Sequence, residues 1–250
     1  MRIVFVTDLH GSTEFLGPLI DREAPGADLL LLGGDLTNFE GAPRARAVVN
    51  PLRRAFPRVL AVPGNVDRPE VLDWLVAEGL SLHGAGLVLD GVGLSGCGGS
   101  NHTPLHSPTE FDEDTLAALL AQGAEAARLG SPWLLVTHVP PADTITDRMF
   151  AGKHVGSPAL RAFLEAGGPA LCLCGHIHEG VGLDRVGAVQ VCNPGALTSL
   201  RYAVIHVDPI AATARPELRT LDVPRALRAR AGARMIARKV WGYARHRLGQ

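Results

Sequence analysis

Apolar positions in this chain come in short runs, each closed by a polar or turn-forming residue. Arg2–Thr7, Asp28–Leu32, Arg58–Val62, Trp133–Thr137 and Ala170–Cys174 are rich in Val, Ile and Leu and end on Gly, Pro, Asp, Asn or His. Runs of this length without polar alternation read as strands buried on both faces. Between the first three, the apolar period lengthens to that of a helix over Thr13–Glu23, Pro43–Ala55 and Pro69–Glu78. The result is a βαβαβ alternation, the mark of an α/β sheet. Further on, Leu87–Gly99 reads as two short strands, and a helix runs from Thr109 or Glu110 to about Leu129 with acids in its first turn. Alternation over Gly182–Val191, Tyr202–Val207 and Arg215–Leu221 predicts strands closing a second sheet, with a hairpin loop at Pro209–Ala214.

The residues that close the strand runs are the informative ones. Asp8 and His10 stand in V-T-D-L-H-G, Asp35 in L-L-G-G-D-L and Asn65 in P-G-N-V-D. His138 stands in L-V-T-H-V-P-P, and His176 and His178 in C-G-H-I-H-E. In open α/β sheets functional groups gather at the carboxyl ends of strands, and all seven lie within a few residues of such an end. Each motif alone has a plainer reading. Asp8 serves equally as a helix cap, Asp35 and Asn65 as turn residues, His138 as a satisfied core histidine, and Asp67 as the N-cap of the helix opening at Pro69. Together, four His, two Asp and one Asn make a mixed nitrogen and oxygen set without sulfur. That set suits Mn²⁺, Fe, Zn²⁺ or Co²⁺ better than Ca²⁺. Seven ligands exceed one tetrahedral zinc and match two ions sharing a carboxylate.

In this order the motifs resemble the calcineurin-like metallophosphoesterase superfamily over about Met1 to Val207. T-H-V-P-P, K-H-V-G-S-P-A-L, G-H-I-H-E and V-C-N-P-G-A-L narrow the likeness to its small Icc-related phosphoesterase branch. The resemblance implies a four-layer α/β/β/α sandwich of two mixed β-sheets flanked by helices. It implies that Asp8, His10, Asp35 and His178 hold one metal and Asp35, Asn65, His138 and His176 the second, with Asp35 as bridge. The activity implied is hydrolysis of a small phosphate ester, a diester in preference to a monoester, by in-line attack of a hydroxide held between two divalent ions, Mn²⁺ first among them. Asp67 resembles the family acid that orients its neighbours. Many members carry His between the Asn and the Asp of this motif, able to protonate the leaving oxygen; here that residue is Val66. His154, His102 and His106 are the alternative donors, and His154 is preferred because the resemblance places it near the site.

Composition narrows the picture at the carboxyl end. Eight of the 24 basic residues, seven Arg and one Lys, fall in Pro224–Gln250, which has no acid. The remaining sixteen face all 25 acids, so the body is about −9 and the tail about +8. Two segments follow: a catalytic domain at 1–222 and a basic helix or tail at 223–250. Ala229, Ala233, Ile236, Val240 and Ala244 form one helical stripe, which suits docking on the acidic body or on a second subunit. An anionic membrane surface or nucleic acid is the alternative partner. No run is long enough to span a bilayer, and Cys97, Cys172, Cys174 and Cys192 read as reduced thiols, three of them in apparent strands, consistent with a cytoplasmic enzyme. Two rival functions remain at this level: a hydrolase of a membrane-bound lipid diphosphate, similar to UDP-diacylglucosamine pyrophosphatases, and a metal-binding scaffold without turnover.

Overall fold

Strand β1 (Arg2–Val6) shows how the layers form. Ile3 and Phe5 face one buried cluster, and Val4 and Val6 face another. β2 (Leu29–Leu32) divides the same way, with Leu29 and Leu31 on one side and Leu30 and Leu32 on the other. Both faces are covered, which is why these strands carry no polar alternation. A computed structural model describes residues 1–229 of the chain. The five-stranded sheet has the order β11-β10-β1-β2-β3, with β3 at Val59–Ala61, β10 at Arg201–Asp208 and β11 at Thr213–Thr220. The six-stranded sheet has the order β4-β5-β6-β7-β9-β8. Its strands are β4 (Ala85–Leu89), β5 (Val92–Cys97), β6 (Trp133–Thr137), β7 (Leu171–Leu173), β8 (Gly182–Val186) and β9 (Val189–Asn193).

Three apolar layers separate four layers of structure. The first sheet packs against α1 (Leu16–Glu23), α2 (Ala42–Ala55) and α3 (Pro69–Ala77) through Val48, Leu52, Val71 and Leu75. The two sheets meet over Phe5, Leu31, Leu94, Leu134, Val136 and Ile205. The second sheet is closed by α4 (Glu113–Ala127) and α5 (Pro158–Glu165) through Leu116, Leu120, Leu160 and Leu164. This is the α/β/β/α sandwich expected from the sequence. Both sheets are mixed: β1, β2 and β3 run parallel, as do β5, β6, β7 and β9, while β10, β11, β4 and β8 pair antiparallel.

Two expectations need correction. β10 and β11 do not close the second sheet; they extend the first, with Phe5 paired to Ala203 and Arg2 to His206. Only β8 and β9 join the second. α5 has no counterpart among the expected helices, although Ser157 accepts from Leu160 N as its N-cap and Pro158 opens its first turn. At the carboxyl end Leu221 and Val223 are buried in the first core and Leu227 packs on it, at the start of a helical turn over 225–229. Ala229, the first residue of the expected apolar stripe, is exposed; the rest of the stripe and most of the arginines lie outside the described residues. Among the described residues no helix is long and apolar enough to cross a membrane. All four cysteines are free and buried, and burial pushes the Cys97, Cys172 and Cys192 thiols up to about 12.

Candidate metal centre

Five strand ends converge where the carboxyl edges of the two sheets meet. Asp8 and His10 follow β1, Asp35 follows β2, Asn65 follows β3, His138 follows β6, and His176 and His178 follow β7. Six of the seven are linked by polar side-chain contacts. His178 Nε2 lies 3.1 Å from Asp8 Oδ1 and 3.2 Å from His10 Nε2. His138 Nε2 lies 3.1 Å from Asn65 Oδ1 and 3.3 Å from Asp35 Oδ1. Asp35 connects the groups, because its other oxygen is 3.7 Å from His10 Nε2. The seventh, His176, packs its ring edge-on to His138 at 5.0 Å and donates its backbone N–H to Asp8 Oδ2 at 3.2 Å. Ligand atoms of Asp8, His10 and His178 lie within 4.8 Å of one another, as do those of Asp8, Asp35 and His138. Asp8 therefore reaches both groups, which the sequence-based division into two ligand sets did not include.

The backbone is forced to deliver these side chains. Asp8, His10, Asp35 and His176 have φ of 56°, 47°, 48° and 65°. Non-glycine residues rarely enter this left-handed region, and at sites they cost about 1–3 kcal/mol each. Close approach is also required: a Cβ on Gly64 would stand 2.0 Å from Asp35 Oδ1. No side chain larger than hydrogen fits there.

The donor set fits cations. His138 Nδ1 lies 2.8 Å from Gly33 O, and a carbonyl can only accept, so Nδ1 carries the proton and Nε2 of the neutral ring is a bare lone pair. That lone pair faces the oxygens of Asn65 and Asp35. Three such atoms face one another stably only around a proton or a metal ion. Without metal a proton takes the place: burial disfavours charge on His138, but the charge and hydrogen bond of Asp35 outweigh it and raise the ring to about 9. Burial likewise pushes against ionised Asp8, yet the charge and hydrogen bond of His178 hold its carboxyl well below the usual range. His176, with burial and the neighbouring His138 both opposing charge, falls to about 4.

A buried carboxylate ties the loops together. Asp67 accepts from Leu36 N at 3.0 Å, Thr37 N at 2.7 Å, Thr37 Oγ1 at 2.7 Å and Gly64 N at 2.8 Å. It joins the loop after Asp35 to the loop before Asn65. Burial first, and the charge of Asp35 second, push its carboxyl up to about 6. Asp67 is not a helix cap: Arg68 precedes the first turn of α3, with no side-chain cap. Nor does Asp8 cap α1, which begins at Leu16 behind Phe15.

Two of the three histidines considered as proton donors pair with acids outside the seven. His154 Nδ1 lies 2.6 Å from buried Asp147 Oδ1. His102 Nδ1 lies 3.6 Å from Glu110 Oε2, and His106 stands on the same loop at φ 49°. Sequence reasoning gave no role to Asn193, whose side-chain N–H groups reach Gly175 O, Ile177 O and Thr146 O and so hold the G-H-I-H turn. The signals for it were its place at a strand end, before Pro194-Gly195, and inside the V-C-N-P-G-A-L stretch.

Residues 1–180 match the family model described as calcineurin-like phosphoesterase. The chain is 34% identical over 208 residues to the uncharacterised protein MJ1162 of Methanocaldococcus jannaschii, covering 81% of this chain and 91% of the relative. Its fold is similar to TT1561 of Thermus thermophilus, with a TM-score of 0.64, 21% identity, and coverage of 88% and 99% of the two chains. It is also similar to the phosphopantetheinyl hydrolase PptH of Mycobacterium tuberculosis, with a TM-score of 0.55, 16% identity, and coverage of 78% and 89%. The chain belongs to the calcineurin-like phosphoesterase family. It is a metal-dependent hydrolase of phosphoric esters.

Proposed function

We propose that the chain is a dinuclear phosphoesterase that favours small phosphodiesters, with Mn²⁺ as the working ion in both sites. The observation supporting two ions rather than one is Asp35, whose Oδ1 faces His138 and Oδ2 faces His10. One group then comprises Asp8, His10, Asp35 and His178, and the other Asp35, Asn65, His138 and His176. Two divalent ions held there would bring the pKa of a water towards ~7 and neutralise charge on the phosphoryl oxygens. The protein's own part is placement. Asp67 fixes the loops bearing Asp35 and Asn65, Asn193 fixes the turn bearing His176 and His178, and glycines admit the backbone close to the carboxylates. No protein nucleophile is needed.

The substrate class follows from Val66, which is buried beside Asn65 and has no proton to give. An alkyl monoester leaves as a poor alkoxide and gains ~10²–10⁴ from a positioned acid. An aryl diester, with a leaving group of pKa near ~7, gains little. His154 is the proposed partial substitute: Asp147 holds Nδ1, leaving Nε2 to present a proton to substrate. Aryl diesters should therefore be hydrolysed faster than alkyl monoesters, and Val66→His should raise turnover of poor leaving groups more than that of aryl diesters. The check is kcat/KM for both proteins on mono- and diesters with matched leaving groups, across pH. A wild-type preference for alkyl monoesters that Val66→His leaves unchanged would overturn this reading.

A further inference from the structure

Asn65 is the one proposed ligand whose two side-chain ends have opposite chemistry. Its amide oxygen can bind a cation; its NH₂ cannot. Something must hold the oxygen towards His138 and the NH₂ away. The structure supplies a chain of hydrogen bonds that does so. Asn65 Nδ2 is 2.8 Å from Ser107 Oγ. A hydroxyl can donate or accept, so this contact alone would tolerate either orientation of the amide.

Glu110 removes the ambiguity. The Ser107 hydroxyl also contacts Glu110 Oε1, the same oxygen that accepts Ser107 N at 2.7 Å and Thr103 Oγ1 at 2.5 Å. The Glu110 side chain is 6% exposed. An oxygen receiving three donors is a carboxylate oxygen, and burial of Glu110 is outweighed by these Ser107 and Thr103 bonds, which hold its carboxyl below the usual range. Ser107 must then give its single proton to Glu110 and accept from Asn65. The backbone reinforces the alignment: Thr109 N donates to Asn65 O at 3.0 Å, and Thr109 Oγ1 donates to Asp67 O at 2.6 Å. The segment from Asn101 to Glu110, irregular in sequence, is docked on the Asn65 motif at three points.

We propose that Ser107 and Glu110 are positioning residues that lock the polarity of Asn65, so that its oxygen faces the ion shared with His138. The inference rests on the dinuclear reading. Polarity runs one way, from the Asn65 N–H to the Ser107 hydroxyl to the Glu110 carboxylate. Removing Ser107 frees the amide to turn its NH₂ towards His138, where it competes with the ion.

The test is calorimetric titration of Mn²⁺ into the chelator-stripped full-length chain, with thermal melting alongside. Wild type should bind two ions. Ser107→Ala should weaken one of them by ~10–100-fold, the range for loss of a ligand's supporting hydrogen bond, and leave the other unchanged. Ser107→Thr, which keeps the hydroxyl, should restore it. In an Asn65→Ala background Ser107→Ala should have no further effect, because the lock then has nothing to orient. Ser107→Ala with wild-type affinity for both ions, or with an equal loss on the Asn65→Ala background, would overturn the lock while leaving the dinuclear reading intact. A wild-type chain that binds fewer than two ions would overturn both. Should Ser107→Ala fail to fold, Ser107→Cys, close in size with a far weaker acceptor, carries the same expectation.

Discussion

Asp35→Asn should abolish hydrolysis, lowering kcat by at least ~10³-fold, more than the loss of a single transition-state donor. The geometry dictates which end of the new amide goes where. Val66 N donates to Asp35 Oδ1 at 3.1 Å, so the amide oxygen stays on that side and the NH₂ takes the Oδ2 position, facing His10. The group containing Asp8, His10 and His178 loses an oxygen ligand and gains a repelling one. The group containing His138 loses the charge. Metal content should fall from two ions to one or fewer per chain. The fold should survive, because Asp35 ends a strand beyond the apolar layers. Metal-free variant should still fold but melt lower than metal-free wild type near neutral pH, since it loses the Asp35 charge that, against burial, raises His138 to about 9. Metal analysis and a melting curve check both halves. Retention of two ions and near-normal turnover would show that Asp35 does not bridge.

Asp67→Asn should damage stability first and activity through it. The carboxylate receives four donors, two on each oxygen. An Asn side chain keeps its oxygen on Leu36 N and Gly64 N and turns its NH₂ to the Thr37 side, where the hydroxyl can accept it and donate to Glu40 O, but Thr37 N–H cannot. One buried donor left unsatisfied costs about 1–3 kcal/mol, which is the loss expected in denaturant unfolding. Relief of a buried carboxylate beside Asp35 places the metal-free protein towards the lower end. Because the four bonds align the loops of Asp35 and Asn65, ion affinity should also drop by ~10–100-fold. A variant as stable as wild type with unchanged Mn²⁺ affinity would reduce Asp67 to a replaceable buried group.

The legible parts of this molecule are those governed by local rules. Strands β1, β2, β3, β6 and β7 are buried on both faces and so write themselves as unbroken apolar runs. The residues that close those runs had to lie at carboxyl strand ends, and the structure places all seven there, divided between two sheets and not on one edge. The partners of the late strands were not legible. Tyr202–Val207 and Arg215–Leu221 read as strands, but the local pattern is silent on which sheet receives them; β10, buried on both faces, joined β1 instead of the second sheet. α5 is no shorter than α1, which was legible; its own local signal was the Ser157-Pro158 opening, between Gly156 and Gly167. The supporting polar network was hidden for another reason. Ser107 reaches Asn65 across 42 residues and Asp67 reaches Leu36 across 31, through loops whose sequence has no period. Asp67 was legible as an acid near the Asn, but its four partners were not. Asp8, whose carboxylate lies within 4.8 Å of candidate ligand atoms in both groups, shows the same limit: sequence order names candidates and cannot divide them into sets.

Metal content joined to activity tests the central claim most directly. Purified protein should carry close to two transition-metal ions per chain by elemental analysis. Chelation should remove them and abolish hydrolysis of an aryl phosphodiester, and Mn²⁺ should restore turnover as the second equivalent binds. Full activity in metal-free protein, or full activity with a single ion bound, would contradict the account.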